Sequence, residues 1–383
     1  MPKWGFFWSI QIRRELAVSH NRIALFVALV LFVGPVTVQA GERFVPGHIF
    51  VGAIQLEGCQ LGYDSAIREI DPRTDECWIF TDQDDGLCNP LGLIFTPDGK
   101  RLRVANYSAH NIVELDPEGT LTVIYDQDDG LRSPGISNGM AFDAAGAFFV
   151  IDSARILKFP ADGGDPLIFA DADDGITYSG GLDFGPSGDL YLASRTKVLR
   201  FTPEGTSSIF DDLGSNTRVR SVVVDEQGNL FVGVQYPEPA HMYRYDQEDP
   251  GRRRLLTDDL DVSWLTLAMS PDHREVYATV NRRIYAIDRA TGQTRILHEF
   301  PVEGAYYHAH GIAVFVPPLP GDINGDEVVA VGDHVVFAAC MGGPGVEEPP
   351  DGCDEIDFRY ADLDFDYDVD LNDFTLLSVA MGK

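Results

Sequence analysis

Basic side chains are scarce in this 383-residue chain, which carries 29 Lys and Arg against 60 Asp and Glu and a formal net charge of −31. Proteins that follow nucleic-acid phosphates or bind anionic membrane surfaces need positive charge instead. The composition therefore predicts no nucleic-acid partner and favours cations, neutral molecules or basic proteins. Hydrophobic residues make up 44% of the chain, which is enough for a sizeable folded core.

Long apolar runs are also scarce. The chain has one, IALFVALVLFVGPVTV at 23–38, with basic residues before it and Val38-Gln39-Ala40 at its end. This order predicts a signal peptide over 1–40, cleavage after Ala40, and a secreted or cell-surface protein. An uncleaved anchor is the alternative, but sixteen residues interrupted by Gly34-Pro35 are short for a spanning helix. No later run is long enough, so we expect no membrane span after removal of the signal.

The chain has only five cysteines, and export would allow them to oxidise. Cys340 and Cys353 lie close together in the sequence and are candidates to close a small disulfide loop. Cys59, Cys77 and Cys88 leave one odd thiol, and the sequence leaves their pairing open.

A strand–turn–strand pattern recurs six times, as in GLDFGPSGDLYLAS at 181–194 and SVVVDEQGNLFVGV at 221–234. Successive copies are 47, 42, 40, 45 and 45 residues apart, and two further strand patterns follow each of the first five. Four antiparallel strands in 40–50 residues are typical of a β-propeller blade. The sixth copy has a single strand at 311–316. We expect the N-terminal strands at 48–53, 66–71 and 77–82 to complete its blade and so close a six-bladed ring over 41–316.

The turn motif and the blade number resemble those of the NHL-repeat propellers and the gluconolactonase-like family. Many functions share this blade motif, so the resemblance implies a fold more than a chemistry. DQDDG at 82–86 and 126–130 and DADDG at 171–175 precede new blades. They are interpreted as Asp/Gly turns, with three cation sites on a rim as the alternative.

After PPLPG at 317–321, which predicts a stiff Pro-rich linker, the composition changes. Residues 322–383 hold 16 acidic and 2 basic residues, so a disordered acidic tail is one interpretation. The spacing favours two twelve-residue calcium loops of the EF-hand type, each followed by a helical pattern. The first loop offers side chains at positions 1, 3, 5 and 12 and a carbonyl at position 7: Asp322, Asn324, Asp326, Asp333 and Val328. The second adds position 9: Asp362, Asp364, Asp366, Asp370, Asp373 and the carbonyl of Asp368.

Two such loop–helix units resemble a type I dockerin, the module that docks secreted bacterial proteins onto cohesin receptors. The resemblance implies two calcium ions, a cohesin partner, and recognition residues at Val331-Gly332 and Leu371-Asn372. This chain departs from the family at loop position 6, where Glu327 and Tyr367 replace glycine. It also carries an insert from Cys340 to Cys353. The predicted fold class is thus mainly β, a six-bladed propeller with a small α-helical, EF-hand-like domain at 322–383.

Ligands of such propellers usually bind where the innermost strands begin, here called the channel mouth. The candidate ligand-binding residues there are Asn138, Arg220, Trp264, His308 and His310. The gluconolactonase-like family carries a calcium-ligating Asn that maps onto Asn138, but Gly180 and His310 stand where its other ligands are expected. Asn138 is alternatively a turn residue. The histidines either support ring closure or provide a base, as in propeller lyases.

These observations predict an exported propeller that binds a ligand or a protein and carries a calcium-dependent docking module. A carbohydrate or a small polar molecule is the expected ligand, and no catalytic residue is assigned. The alternative is a dockerin-tethered enzyme, a lactonase-like hydrolase or a lyase, acting in polysaccharide breakdown.

Overall fold

A computed structural model describes residues 43–55, 64–135, 138–261, 264–300 and 308–382. The predicted signal peptide and Cys59 lie outside these residues, so both expectations stay predictions. None of the helices in the described ranges combines the length and the apolarity that a membrane crossing requires.

The described strands form six four-stranded antiparallel sheets, which confirms the predicted six-bladed propeller. Each sheet is one blade, and its strands follow one another in sequence except at the blade that contains both ends of the propeller. The first half comprises β1 (Ile49–Gln55), β2 (Asp64–Asp71), β3 (Glu76–Asp82), β4 (Pro90–Phe95), β5 (Leu102–Asn106), β6 (Asn111–Leu115), β7 (Leu121–Tyr125), β8 (Met140–Phe142), β9 (Phe148–Asp152), β10 (Arg155–Phe159) and β11 (Leu167–Ala170).

The second half of the ring continues with the same order of strands, from the channel outward. It comprises β12 (Ser179–Phe184), β13 (Leu190–Ser194), β14 (Lys197–Phe201), β15 (Ser207–Asp212), β16 (Val219–Val224), β17 (Leu230–Val234), β18 (Ala240–Tyr245), β19 (Arg253–Leu260), β20 (Leu265–Met269), β21 (Glu275–Val280), β22 (Arg283–Asp288), β23 (Thr294–Glu299) and β24 (His308–Val314).

The ring closes through a pairing between its two ends. β24 pairs antiparallel with β1, with Val51 opposite Ile312 and Ala53 opposite Ala309. The sheet order β24-β1-β2-β3 is the predicted one, in which one C-terminal strand joins three N-terminal strands. The pairing covers β1 on both sides, and β24 becomes the edge of this sheet that faces the channel, like the innermost strand of every other blade.

The hairpin inside each blade is set by local chemistry. In the β16–β17 turn, Asp225 Oδ1 accepts hydrogen bonds from the N–H groups of Gln227 and Asn229. Gly228 has a φ of 87° there, a conformation that side chains disfavour. Asp143 accepts two equivalent bonds in the β8–β9 turn. Such turns recur because an Asp and a Gly in this spacing satisfy the backbone of a tight reversal.

The DQDDG segments are turns as well. Asp82 accepts a hydrogen bond from the N–H of Asp84, while Asp85 accepts one from the N–H of Asp82. The DADDG segment at 171–175 has the same reciprocal arrangement. These acidic side chains are occupied by their own backbone, which supports the turn interpretation over a rim of cation sites.

Three helices follow the propeller: α1 (Val331–Cys340), α2 (Glu355–Ala361) and α3 (Leu371–Met381). α1 and α3 follow the two acidic loops as predicted, whereas α2, which follows the insert, was not predicted. A disulfide joins Cys340 to Cys353, with 4.9 Å between the Cα atoms. This confirms the expected small loop.

The C-terminal module packs against the propeller. One apolar cluster contains Phe44, Phe50 and Phe315 of the propeller together with Phe337 and Phe358 of the module. Burying these rings together removes apolar surface of both parts from water. The linker at 317–321 therefore connects two parts that share a core.

Polar contacts hold the same seam. Arg359 of α2 donates to the Asp71 carboxylate at 2.6 Å, and both side chains are buried. Arg43 donates to the Ile323 carbonyl at 2.7 Å and to Asp357 at 2.8 Å. The Arg43 guanidinium also stacks on the Tyr360 ring, 4.1 Å from its centroid. Three of these four polar contacts are made by residues of α2.

The seam lies on the face of the ring opposite the channel mouth. Its contacts come from the β4–β5 hairpin, where Lys100 pairs with Glu327, and from the β2–β3 turn, where Arg73 pairs with Glu355. The β20–β21 hairpin and the module together line a cavity of about 350 Å³. Each of these turns joins two strands at the end that lies away from the mouth. The module therefore leaves the mouth uncovered.

We expect Arg359→Met to lower the free energy of unfolding by about 3 kcal/mol, because removing one partner of a buried ion pair leaves the other charge uncompensated. Asp71 would keep a hydrogen bond from the Arg73 N–H at 2.8 Å, but its charged partners would lie farther away, His48 at 3.9 Å and the Arg73 guanidinium at 4.0 Å. Chemical denaturation of the intact chain measures the change. Lys100→Met is the control, since it removes an exposed ion pair from the same seam. Equal losses in the two variants would contradict this role of Arg359.

Candidate functional site

The first acidic loop is organised by the carboxylate at its end. Asp333 Oδ1 accepts hydrogen bonds from the N–H groups of Ile323 and Asn324 at 2.8 and 3.1 Å. Its Oδ2 accepts from the N–H of Ala330 at 2.7 Å. A side chain at position 12 thus holds positions 2, 3 and 9 of the loop in place.

The second loop repeats this arrangement forty residues later. Asp373 Oδ1 accepts from the N–H groups of Leu363 and Asp364 at 2.7 and 3.2 Å, and its Oδ2 from that of Asp370 at 2.8 Å. Position 1 is repeated as well, because Asp322 and Asp362 each accept from the N–H groups at positions 5 and 6. The two loops therefore have one backbone design.

Both loops turn through the left-handed region at positions 4 and 6. The φ angles are 74° at Gly325 and 57° at Phe365, then 67° at Glu327 and 75° at Tyr367. Glu327 and Tyr367 replace the expected glycine and still adopt its conformation. The loop shape is therefore kept at the cost of some backbone strain.

Carboxylates converge in the second loop. Asp362, Asp364 and Asp373 each place an oxygen within 4.8 Å of the others, and Asp368, Asp370 and Asp373 do the same. The Oδ1 atoms of Asp364 and Asp368 are buried and accept no hydrogen bond from the described residues. Unused acceptor sites inside a group of carboxylates suit a hard divalent cation, and calcium is the cation that loops of this type usually bind.

The electrostatics of this cluster agree with its geometry. Burial and the neighbouring Asp373 raise the pKa of Asp362 to about 8, and the same causes raise the pKa of Asp364 to about 6. Burial also raises the pKa of Asp373. Without a cation, the neighbouring carboxylates repel one another and Asp362 retains a proton near pH 7, so a bound divalent charge would relieve an unfavourable arrangement.

The first loop is more open. Asn324 Nδ2 donates to Asp326 Oδ2 at 3.1 Å, and Asp326 Oδ1 accepts from the N–H of Val328. Across the described ranges, clusters of three carboxylates form in the second loop and not in the first. Of the predicted ligands of the second loop, the clusters contain Asp362, Asp364, Asp370 and Asp373 but not Asp366, and Asp368 enters through its side chain instead of its carbonyl.

At the channel mouth, Arg220 is 1% exposed and is held by neutral groups. Its Nε donates to Gln235 Oε1 at 2.6 Å and its Nη1 to the Tyr178 hydroxyl at 3.2 Å. The guanidinium lies over the Trp264 ring, 3.6 Å from the centroid. Arg220 and Trp264, both predicted, thus form one stacked unit.

The two predicted histidines are next to this unit. The His310 ring centroid lies 5.5 Å from that of Trp264 and 5.7 Å from that of His308. Burial, His308 and the Arg220 charge lower the pKa of His310 to about 3. Burial lowers the pKa of His308 as well. His310 is therefore a neutral imidazole near pH 7.

Asn138 is engaged by the backbone. Its Oδ1 accepts from the N–H groups of Leu93 and Ile312, both at 3.2 Å, and its Nδ2 donates to the Ile312 carbonyl. The amide thus ties together the innermost strands of two blades from a third. These bonds account for Asn138 without a ligand.

Sequence reasoning missed Tyr178, Arg218 and Gln235. Arg218 lies two residues before Arg220, and its guanidinium stacks on Tyr178 at 4.6 Å. The nearness of Arg218 to Arg220 in the sequence was a usable signal, although a register shift between Val219 and Ser221 interrupts the alternation of the strand there. Gln235 and Tyr178 come from other segments, and no local pattern connects them to Arg220.

No family model and no curated protein matches this chain. Among solved structures, a chain of the nidogen/laminin complex is 20% identical, with a TM-score of 0.56 over 71% of this chain and 99% of that one. A candidate gluconolactonase is 14% identical, with a TM-score of 0.49 over 61% and 87%. A candidate TolB from Agrobacterium tumefaciens is 12% identical, with a TM-score of 0.49 over 70% and 99%. At these identities the likeness shows the propeller fold alone.

We expect His310 to make stability depend on pH. The folded pKa of His310, about 3, lies below the ordinary 6.5. Above pH 6.5 the residue is neutral in both the folded and the unfolded chain; as the pH falls from 6.5 towards 3, only the unfolded chain takes up the proton, so the free energy of unfolding falls. The loss is at most about 1.4 kcal/mol per pH unit. Denaturation at pH 7, 6 and 5 should show a smaller loss of stability in His310→Gln than in the parent chain. Parallel pH curves would contradict this account of His310.

Proposed function

We propose that this chain is an exported six-bladed propeller that binds a ligand or a protein at its channel mouth and is anchored by a calcium-dependent, dockerin-like module. The observation that carries the proposal is the repeated loop, in which positions 1 and 12 bond the same backbone positions in both copies. A solvated, disordered acidic tail would not be expected to form the same side-chain-to-backbone hydrogen bonds in two copies.

Two calcium ions are proposed. The first would be held by side chains at four positions and the carbonyl of Val328; the second would have one further carboxylate, at position 9. Bound calcium would supply positive charge to these carboxylates and join the start of each loop to the helix that follows. The chain's own part is to hold the oxygens close together, which Asp333 and Asp373 do through the loop backbone.

The proposed docking surface consists of Val331 and Val335 on α1 and Leu371 and Val379 on α3. Val331 is 70% exposed and Leu371 is 69% exposed, and both occupy position 10 of their loops, where the helix begins. Exposed apolar residues at these matching helix starts suit a protein partner. The dockerin resemblance places the recognition residues at the same two positions, so a cohesin-type receptor is the proposed partner.

Two observations support an extracellular protein that binds another macromolecule. The Cys340–Cys353 disulfide is typical of oxidising compartments. The nidogen/laminin structure, with the same propeller fold, comes from a protein complex. Neither identifies the ligand of this propeller.

We expect calorimetry on the mature chain to detect two calcium ions, with the tighter at the second loop. That loop offers five carboxylates at liganding positions, whereas the first offers three and Asn324. Asp362→Asn should therefore remove the tighter site and Asp322→Asn the weaker one. Asp126→Asn, in an acidic turn of the propeller, is the control and should remove neither. A tighter site that survives Asp362→Asn would contradict the ligand assignment.

We expect immobilised cohesins to capture the chain in calcium and to release it in a chelator. Val331→Asp with Leu371→Asp should abolish capture by placing charge in an apolar interface. Val123→Asp changes an exposed apolar residue on an outer strand and should leave capture intact. Failure of a broad cohesin panel to bind in calcium would refute the docking proposal and leave the calcium sites standing.

A further inference from the structure

The channel mouth carries positive charge in a strongly acidic protein. Arg218 and Arg220 both lie against the Tyr178 ring, with guanidinium-to-centroid distances of 4.6 and 5.6 Å. Arg220 is buried beneath, whereas Arg218, Tyr178 and Trp264 remain partly exposed. A molecule entering the mouth would therefore contact Arg218 first. The positive charge of Arg220, buried below it, would act on the same molecule.

These two arginines lack a carboxylate partner within the described part of the chain. No Asp or Glu there lies within 4.0 Å of either guanidinium, although the chain holds 60 acidic residues. Other arginines with little exposure in the blades are paired in several cases, such as Arg103 with Glu114 and Arg155 with Asp152. A buried cation is costly unless a counter-charge or hydrogen bonds offset the loss of water.

The contacts of Arg220 fix its orientation without neutralising it. Gln235 and Tyr178 accept its hydrogen bonds through neutral oxygens, and Trp264 covers one face of the guanidinium. His310 packs against Trp264 and can donate or accept one hydrogen bond as a neutral imidazole. The unit is preorganised, so a ligand would not have to order these side chains.

We propose that the mouth is a binding site for the carboxylate of a small ligand, with Arg218 as the direct donor and Arg220 as the buried positive charge that positions it. A guanidinium recognises a carboxylate through two parallel hydrogen bonds, which a neutral ester or an alcohol cannot reproduce. The aromatic rings of Tyr178 and Trp264 supply flat surfaces beside the charge. This inference rests on the proposed use of the mouth as a ligand site and adds the class of ligand.

The carboxylate could belong to a sugar acid or to a simple organic acid, and the probes separate these sources. Calorimetry on the mature chain in saturating calcium would use glucuronate, its methyl ester, glucose and succinate. We expect glucuronate or succinate to bind at least tenfold more tightly than the ester or glucose. Preference for glucuronate over succinate would assign the sugar acid. Equal binding of glucuronate and its ester, or no binding of either acid, would overturn the carboxylate proposal.

The variants locate the site. Arg218→Gln, at a partly exposed position, should weaken acid binding at least tenfold, and Arg218→Lys should recover part of it. Arg220→Met should weaken binding as well, and quenching of tryptophan fluorescence by the acid should disappear in Trp264→Phe. Arg252→Gln makes the same charge change on an exposed outer loop and should leave binding unchanged.

The failure modes are distinguishable. Acid binding that survives Arg218→Gln, Arg220→Met and Trp264→Phe, for example through calcium in the module, would overturn the mouth assignment. Neutral glucose binding that is lost in Trp264→Phe would keep the mouth as a ligand site and refute the carboxylate. If Arg220→Met does not fold, Arg218→Gln alone decides, because its side chain is not part of the core.

Discussion

The pairing of β24 with β1 is the constraint on which the other features depend. It holds two segments about 260 residues apart in one sheet and so makes the ring a closed object. It also decides where the chain leaves the propeller. β24 is an innermost strand that ends on the face of the ring opposite the channel mouth, here called the hairpin face. Phe315 and the linker emerge there beside Phe44 and Phe50. The C-terminal module consequently meets the first residues of the described chain, and Arg43 and Asp71 become its partners.

The features that could be predicted from the sequence are those with short-range causes. An Asp and a Gly in a hairpin, as in 225–228, mark several of the blades because the turn itself needs them. Alternating oxygen donors marked the acidic loops because the backbone of such a loop curves around one central position. Both patterns are fixed within a dozen residues, so the blade number and the C-terminal helices α1 and α3 could be read from the sequence.

The features that could not be predicted depend on distant residues. Arg359 and Asp71 are 288 positions apart, and nothing around either one indicates the other. α2 owes its place to that contact, and it was missed. Asn138 looked like a ligand because its neighbours resemble a metal-binding segment, yet the backbones of Leu93 and Ile312 occupy its amide. Arg220 was a predicted mouth residue, whereas its neutral partners were not: Gln235 follows the neighbouring strand of the same blade, and Tyr178 precedes the first strand of another blade.

The position of the module on the hairpin face has a consequence for assembly. A receptor attached to α1 or α3 would act from the side of the ring that Lys100, Arg73 and the β20–β21 hairpin define. Because α2 is fixed by a buried ion pair, the propeller would be displayed in one orientation instead of swinging on a tether. The opening lined by Tyr178 and Trp264 would then face away from such a receptor.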